Sequence, residues 1–204
     1  MTETVQPSQP EGLGARLRAV REERGLSLRE LARRSGCSPS LLSQVERGLT
    51  APSAGKMYAI ANELAISVDY LFGTADAPVH AVHATPMPTE VLRHDERRVI
   101  DLASGVRWER LTPSHDELLE LLEVVYEPGG GSTDDGTFVR HAGHEYLIVL
   151  SGSLEADVGF ETHVLGAGDS IAFDPATPHR YRNPGPGMAR CHSLIVHGGA
   201  GPRH

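Results

Sequence analysis

The chain has 204 residues, 39% of them hydrophobic, and its 19 basic against 27 acidic side chains give a net charge of −8. That length holds one or two domains. No apolar run approaches the roughly 20 residues that cross a bilayer, which argues against a helical membrane protein. Polar Met1 to Glu11 lacks the apolar core of a signal peptide. A cytoplasmic protein with no membrane partner, and with Cys37 and Cys191 as reduced thiols rather than a disulfide, is therefore expected.

Residues 1–10, rich in Pro, Gln and Thr, read as a disordered tail, and 199–204 as a second one. Between residues 11 and 73 the pattern is helical throughout. Leu13, Leu17 and Val20 recur at helical spacing before a stop at Gly25. Ser27 is placed to cap a second helix, with Glu30 at the capping-box position and Leu28, Leu31 and Ala32 inward. Gly36 ends that helix. Ser38 caps a third with Pro39 at its first position, Leu42 and Val45 as its anchors and Gly48 at its end. Ser53 to Leu64 gives a fourth helix, with Met57, Ile60, Ala61 and Leu64 inward, and Val68 to Phe72 a short fifth ending at Gly73. Five helices in so short a stretch make a complete all-α domain.

Residues 74–95, with Pro78, Pro86 and Pro88, read as a linker. Between 96 and 198 the periodicity changes to short β runs. The candidates are Arg98–Leu102, Val106–Leu111, Leu118–Tyr126, Glu145–Leu150, Leu154–Val158, Glu161–Leu165, Asp169–Phe173, His179–Arg182 and Arg190–Val196. Many short strands separated by Gly/Pro turns indicate a sandwich or barrel. The chain is thus α+β and multidomain. Charge divides along the same boundary. Residues 11–73 hold nine basic and seven acidic side chains, net +2, and the remainder carries −10. A basic module beside an acidic one fits nucleic-acid binding by the first alone, and the small excess calls for two copies acting together.

Leu28-Arg29-Glu30-Leu31-Ala32, Ser38, Leu42-Ser43-Gln44-Val45-Glu46-Arg47-Gly48, Pro52 and Leu71-Phe72 carry a resemblance to the Cro/phage-repressor (XRE-type) helix-turn-helix family. The resemblance implies that the helix from Pro39 to Arg47 enters the major groove of double-stranded DNA. Ser40, Ser43 and Gln44 would face the bases, with Gln44 the best bidentate reader of an adenine edge. Ser27, Arg29 and Arg47 would touch the phosphate backbone, which positions without specifying, and Thr50, just after the helix, would touch phosphate or base. The alternative for Glu46 and Arg47 is an ordinary solvated face.

His141-Ala142-Gly143-His144-Glu145 through Gly152, and Gly168-Asp169 through His179 and Asn183, carry a resemblance to the cupin fold, a double-stranded β-helix or jelly roll. Three of that family's four ligand positions are filled here, by His141, Glu145 and His179. The first histidine of its first motif is replaced by Val139, and Asp174 and Ala176 stand for its usual Pro and Gly. Two imidazoles and a carboxylate suit a divalent transition metal such as Fe, Zn, Mn or Ni. The same three groups equally suit a metal-free polar pocket. His141 and Glu145, four apart, share a strand face, while His144 has the opposite parity and points away. Trp108, Tyr126, Tyr146 and Arg180 are candidate walls of an effector pocket. The remaining histidines (His80, His83, His94, His115, His163, His192, His197, His204) show no convergent spacing and are expected in solvent.

The two resemblances together imply a homodimeric transcriptional regulator, not an enzyme, that binds a DNA operator and responds to a small-molecule effector. The alternative is a metal-dependent cupin oxygenase. The phosphonate epoxidases likewise join a helix-turn-helix-like domain to a cupin with a His, Glu, His iron site. This chain departs from them at Gly25, where they place a functional lysine. It departs again at Val106-Arg107-Trp108-Glu109, where they have a tyrosine-rich strand.

Overall fold

A computed structural model describes residues 12–73, 89–114, 116 and 118–197. Both expected tails and residues 74–88 of the expected linker lie outside the described residues, as do His80, His83, His115 and His204.

The first unit is α1 (Leu13–Glu23), α2 (Leu28–Arg34), α3 (Pro39–Glu46), α4 (Ala54–Glu63) and α5 (Val68–Leu71). Serine hydroxyls satisfy otherwise orphaned backbone amides at three of the helix starts. Ser27 accepts from Glu30 N at 3.1 Å, Ser38 from Leu41 N at 3.1 Å and Ser67 from Tyr70 N at 3.2 Å. The capping box at Ser27 is only half made. The Glu30 carboxylate turns outward to Arg33 and Arg34, whose hydrogen bonds hold its pKa down at about 2. Leu17, Leu31, Leu42, Val45, Met57, Ile60 and Leu64 form the helical core.

α1 and α3 meet at Gly14, where an added Cβ would lie 2.1 Å from the Val45 carbonyl oxygen. The same contact carries an ion pair. Arg21 Nε donates to Glu46 Oε1 at 2.6 Å and its terminal nitrogen to Oε2 at 2.9 Å. The two side chains are only 10% and 5% exposed, so Glu46 is not on a solvated face but is the buried anchor of α3.

A short 3-10 turn, His94–Glu96, straddles the end of the expected linker. The second unit is all antiparallel: β1 (Val99–Leu102), β2 (Val106–Arg110), β3 (Leu119–Tyr126), β4 (His144–Ser151), β5 (Ser153–Val158), β6 (Glu161–Gly166), β7 (Ser170–Phe173), β8 (His179–Arg182) and β9 (Ala189–Val196). Six strands form one sheet in the order β1-β2-β3-β9-β4-β7, and β6-β5-β8 form the other. Alternation sorts each strand. On β4, Glu145, Leu147 and Val149 point into the barrel, and His144, Tyr146, Ile148 and Leu150 point out.

α4 and α5 dock on the barrel. Gly55 N donates to Ser132 O at 2.8 Å, and Val68 N donates to the buried Glu120 carboxylate at 2.7 Å. Arg110 pairs with Asp69 at 2.7 Å, both side chains 2% exposed, and Lys56 pairs with Asp134 at 2.8 Å. His197, expected in solvent, is instead half-buried against Glu120 at 3.1 Å, and that carboxylate holds its imidazole pKa up. Among the described residues no helix is long and apolar enough to cross a membrane.

Candidate metal centre and DNA-reading helix

Inside the barrel, β4 delivers Glu145, the turn before it His141, and β8 His179. Their ligand atoms all lie within 4.8 Å of one another. Glu145 Oε2 is 3.1 Å from His141 Nε2 and 3.5 Å from His179 Nε2. Each ring is oriented by a backbone carbonyl. His141 Nδ1 donates to Ala142 O at 3.2 Å and His179 Nδ1 to Thr177 O at 2.9 Å. A carbonyl has no proton to give, so Nδ1 carries a proton in both rings, and in the neutral ring Nε2 is left with its lone pair on the side of the carboxylate. Hydrogen bonds of this kind set the tautomer of metal-binding histidines.

Burial of Glu145 raises its pKa, but His141, His179 and a 2.7 Å hydrogen bond from the Tyr181 hydroxyl outweigh it and keep the carboxyl below its ordinary range. Burial lowers the pKa of His179, favouring the neutral ring. Burial likewise pushes the Tyr181 phenol up, so it stays a donor. Glu145 Oε2 is buried without a hydrogen-bond donor. An ionised oxygen facing two imidazole lone pairs is a donor set for a divalent cation, and these residues fit one.

Ala54, Gly55, Tyr58, Trp108, Val124, Tyr126, Ser132, Val139, Leu147 and Ser193 complete the lining of a cavity of ≈ 30 Å³. Trp108 and Tyr126, named from sequence as pocket walls, are in it. Tyr146 and Arg180 are not. Tyr146 stands on the outer face of β4, 47% exposed. Arg180 turns away to pair with Asp157 at 2.7 Å and to cover the Phe138 ring.

Tyr58, Gly55 and Ala54 belong to the helical unit and were not anticipated. The Tyr58 ring stacks on His141 at 4.8 Å and 16°, and meets Trp108 edge-on at 5.2 Å. A Cβ on Gly55 would lie 2.3 Å from Val139 Cγ1, so α4 abuts the residue that replaces the family's first histidine. Tyr181 was also missed, although its position two residues after His179 on one strand places it on the same face.

On the other unit, Pro39, Ser40, Gln44, Arg47 and Thr50 are exposed along and just beyond α3, and Ser43 is half-buried. Arg29 and Ser27 are exposed at the start of α2. Arg47 bends back to donate to Ser43 O at 3.2 Å.

The family model described as helix-turn-helix matches residues 17–71, and the one described as cupin domain matches residues 122–197. The HTH-type transcriptional regulator PuuR of Escherichia coli (strain K12) is 27% identical over 184 residues, 88% of this chain and 93% of that protein. A crystal structure of an HTH_3 family transcriptional regulator from Vibrio cholerae superposes with a TM-score of 0.66 at 22% identity, covering 92% of this chain and 96% of that one, and shows the same fold. The hydroxypropylphosphonic acid epoxidase of S. wedmorenis, at 21% identity and 92% and 98% coverage, reaches a TM-score of 0.48. The chain thus joins an XRE-type helix-turn-helix domain to a C-terminal cupin domain with a His, Glu, His cluster, and it is similar along most of its length to HTH-type transcriptional regulators of the same architecture.

Proposed function

We propose that the protein is a sequence-specific DNA-binding regulator. Its barrel senses a small molecule at a divalent transition ion held by His141, Glu145 and His179. The observation that carries the first part is the exposed row Ser40, Gln44 and Arg47 on a third helix whose inner side is fixed by Leu42, Val45 and Glu46. A bidentate base contact is worth about 1–3 kcal/mol of discrimination. Ser40→Ala with Gln44→Ala should therefore weaken binding to a duplex selected from a random pool by about 10- to 100-fold, at unchanged melting temperature. An unchanged sequence preference in that variant would move base reading to another element.

The donor-poor carboxylate supports the second part. When bound, the ion would supply a Lewis acid able to hold an oxygen-bearing ligand. Protein purified without tag or chelator should carry about one transition-metal ion per chain, and His141→Ala with His179→Ala should carry none. Two folded, equally metal-free proteins would leave the three residues as a polar pocket only.

The small positive excess of the helical unit requires a second copy for tight operator binding. The outward row Tyr146, Ile148 and Leu150, each more than 40% exposed, is the apolar surface best suited to pair two chains. Tyr146→Glu with Ile148→Glu should sediment as a single chain and lose tight DNA binding; a variant that stays dimeric would rule this face out.

An oxygenase reading shares the metal ligands but is less well supported. Gly25 has no side chain to place near a substrate, and Val106-Arg107-Trp108-Glu109, which answers to the epoxidases' tyrosine-rich strand, holds no tyrosine.

A further inference from the structure

The barrel site is roofed by the DNA-binding unit itself. Tyr58 lies flat on the His141 ring and is braced by Trp108. Gly55, three residues earlier, is pressed so closely against Val139 that no side chain fits between them. Beneath this roof the cavity of ≈ 30 Å³ takes an ion with one or two waters. Sites for organic ligands run to roughly 300 Å³ and more. The ion and the organic ligand therefore make different demands on the same space.

We propose that Tyr58 is the lid of the cupin site. The metal ion alone is compatible with the docked helical unit, and an organic ligand on that ion binds only when α4 withdraws and takes the reading helix with it. The inference rests on the sensing role proposed above and states how the site is regulated.

α4 does not move alone. Met57, Ile60, Ala61 and Leu64 hold it in the core that also contains Leu31, Leu42 and Val45. α4 packs on α2 and α5, and α2 packs on α3, so a withdrawal of α4 with its unit carries α3 along. It also breaks the bonds from Gly55 N to Ser132 O and from Val68 N to Glu120, which tie the two units together. Those two amides report docking directly. The reporting helix and the sensing barrel thus share one residue, and no separate relay between them is needed.

The test uses the full-length protein, cobalt(II) as the ion and imidazole as the organic probe. Binding is read from the cobalt visible spectrum, and docking from hydrogen exchange at the Gly55 and Val68 amides relative to Val149 in the barrel. Cobalt alone should leave those amides protected. Imidazole, as it saturates the cobalt form, should speed their exchange at least tenfold. Tyr58→Ala should bind imidazole at least tenfold more tightly than the parent, and Tyr58→Phe like the parent. Tyr58→Leu replaces the alanine variant if the latter fails to fold.

Equal imidazole affinity with and without the ring would overturn the proposal. So would tight imidazole binding with both amides unchanged, because the ring would then swing aside without moving α4. If neither protein binds cobalt, the metal reading fails and the lid is judged by the ion-free comparison. Loss of the Tyr58 ring should speed exchange at Gly55 and Val68 but not at Val149, and an unchanged ratio refutes it.

Discussion

Arg21→Ala is expected to destabilise the helical unit by about 3–5 kcal/mol, the range for removing one partner of a buried ion pair. The guanidinium makes two hydrogen bonds to Glu46 and a third, at 2.9 Å, to the Leu26 carbonyl. Removing it strands the Glu46 carboxylate, 5% exposed, against the apolar side of α3. The loss should appear as a lowered midpoint in urea, with weaker DNA binding, because Glu46 lies within α3, the helix proposed to read bases. A matched apolar pair, Arg21→Met with Glu46→Leu, should recover most of the stability, since both buried charges then disappear together. A single-variant effect below about 1 kcal/mol would mean the pair behaves as an exposed one.

Gly14→Ala is expected to cost about 2–3 kcal/mol, even though alanine is intrinsically the better helix former by about 1 kcal/mol. Its Cβ would lie 2.1 Å from Val45 O and 2.8 Å from Glu46 O. Both are backbone atoms, so no rotamer change relieves the collision and the two helices must part. The same separation stretches the Arg21–Glu46 bonds, so the two substitutions should not be additive. Thermal melting of each single variant and of the double variant measures both points. A Gly14→Ala protein as stable as the parent would show that α1 and α3 do not meet there.

Much of this architecture could be read locally. Ser27, Ser38 and Ser67 cap their helices because a hydroxyl before an amphipathic run is a local signal. The strands follow from alternation alone, each within about a residue of its expected ends. Alternation also held information that the sequence reading did not use. Tyr146 and Arg180 each follow a ligand by one residue, which on a strand sends them to the opposite face, and Tyr181 follows His179 by two, which brings it inward. Other features depend on partners that no local pattern names. Arg21 finds Glu46 across 25 positions, and Glu120 accepts from Val68 across 52. Tyr58 sits beside the inward stripe of α4, and only the docking of that helix on the barrel gives its ring a place on His141.

The way the units are tied has a consequence for dissecting them. A fragment ending at Gly73 would keep all five helices yet lose Arg110 from beside Asp69, the Glu120 carboxylate from the start of α5, and the rings of Trp108 and His141 from the face of Tyr58. It would present to water a tyrosine and a glycine-backed strip of helix shaped for the barrel, together with a carboxylate that folding had hidden. Such a fragment is a reader with its control surface exposed, a sticky and less stable stand-in for the intact chain. Its affinity for DNA would describe a liberated domain rather than the regulator at rest.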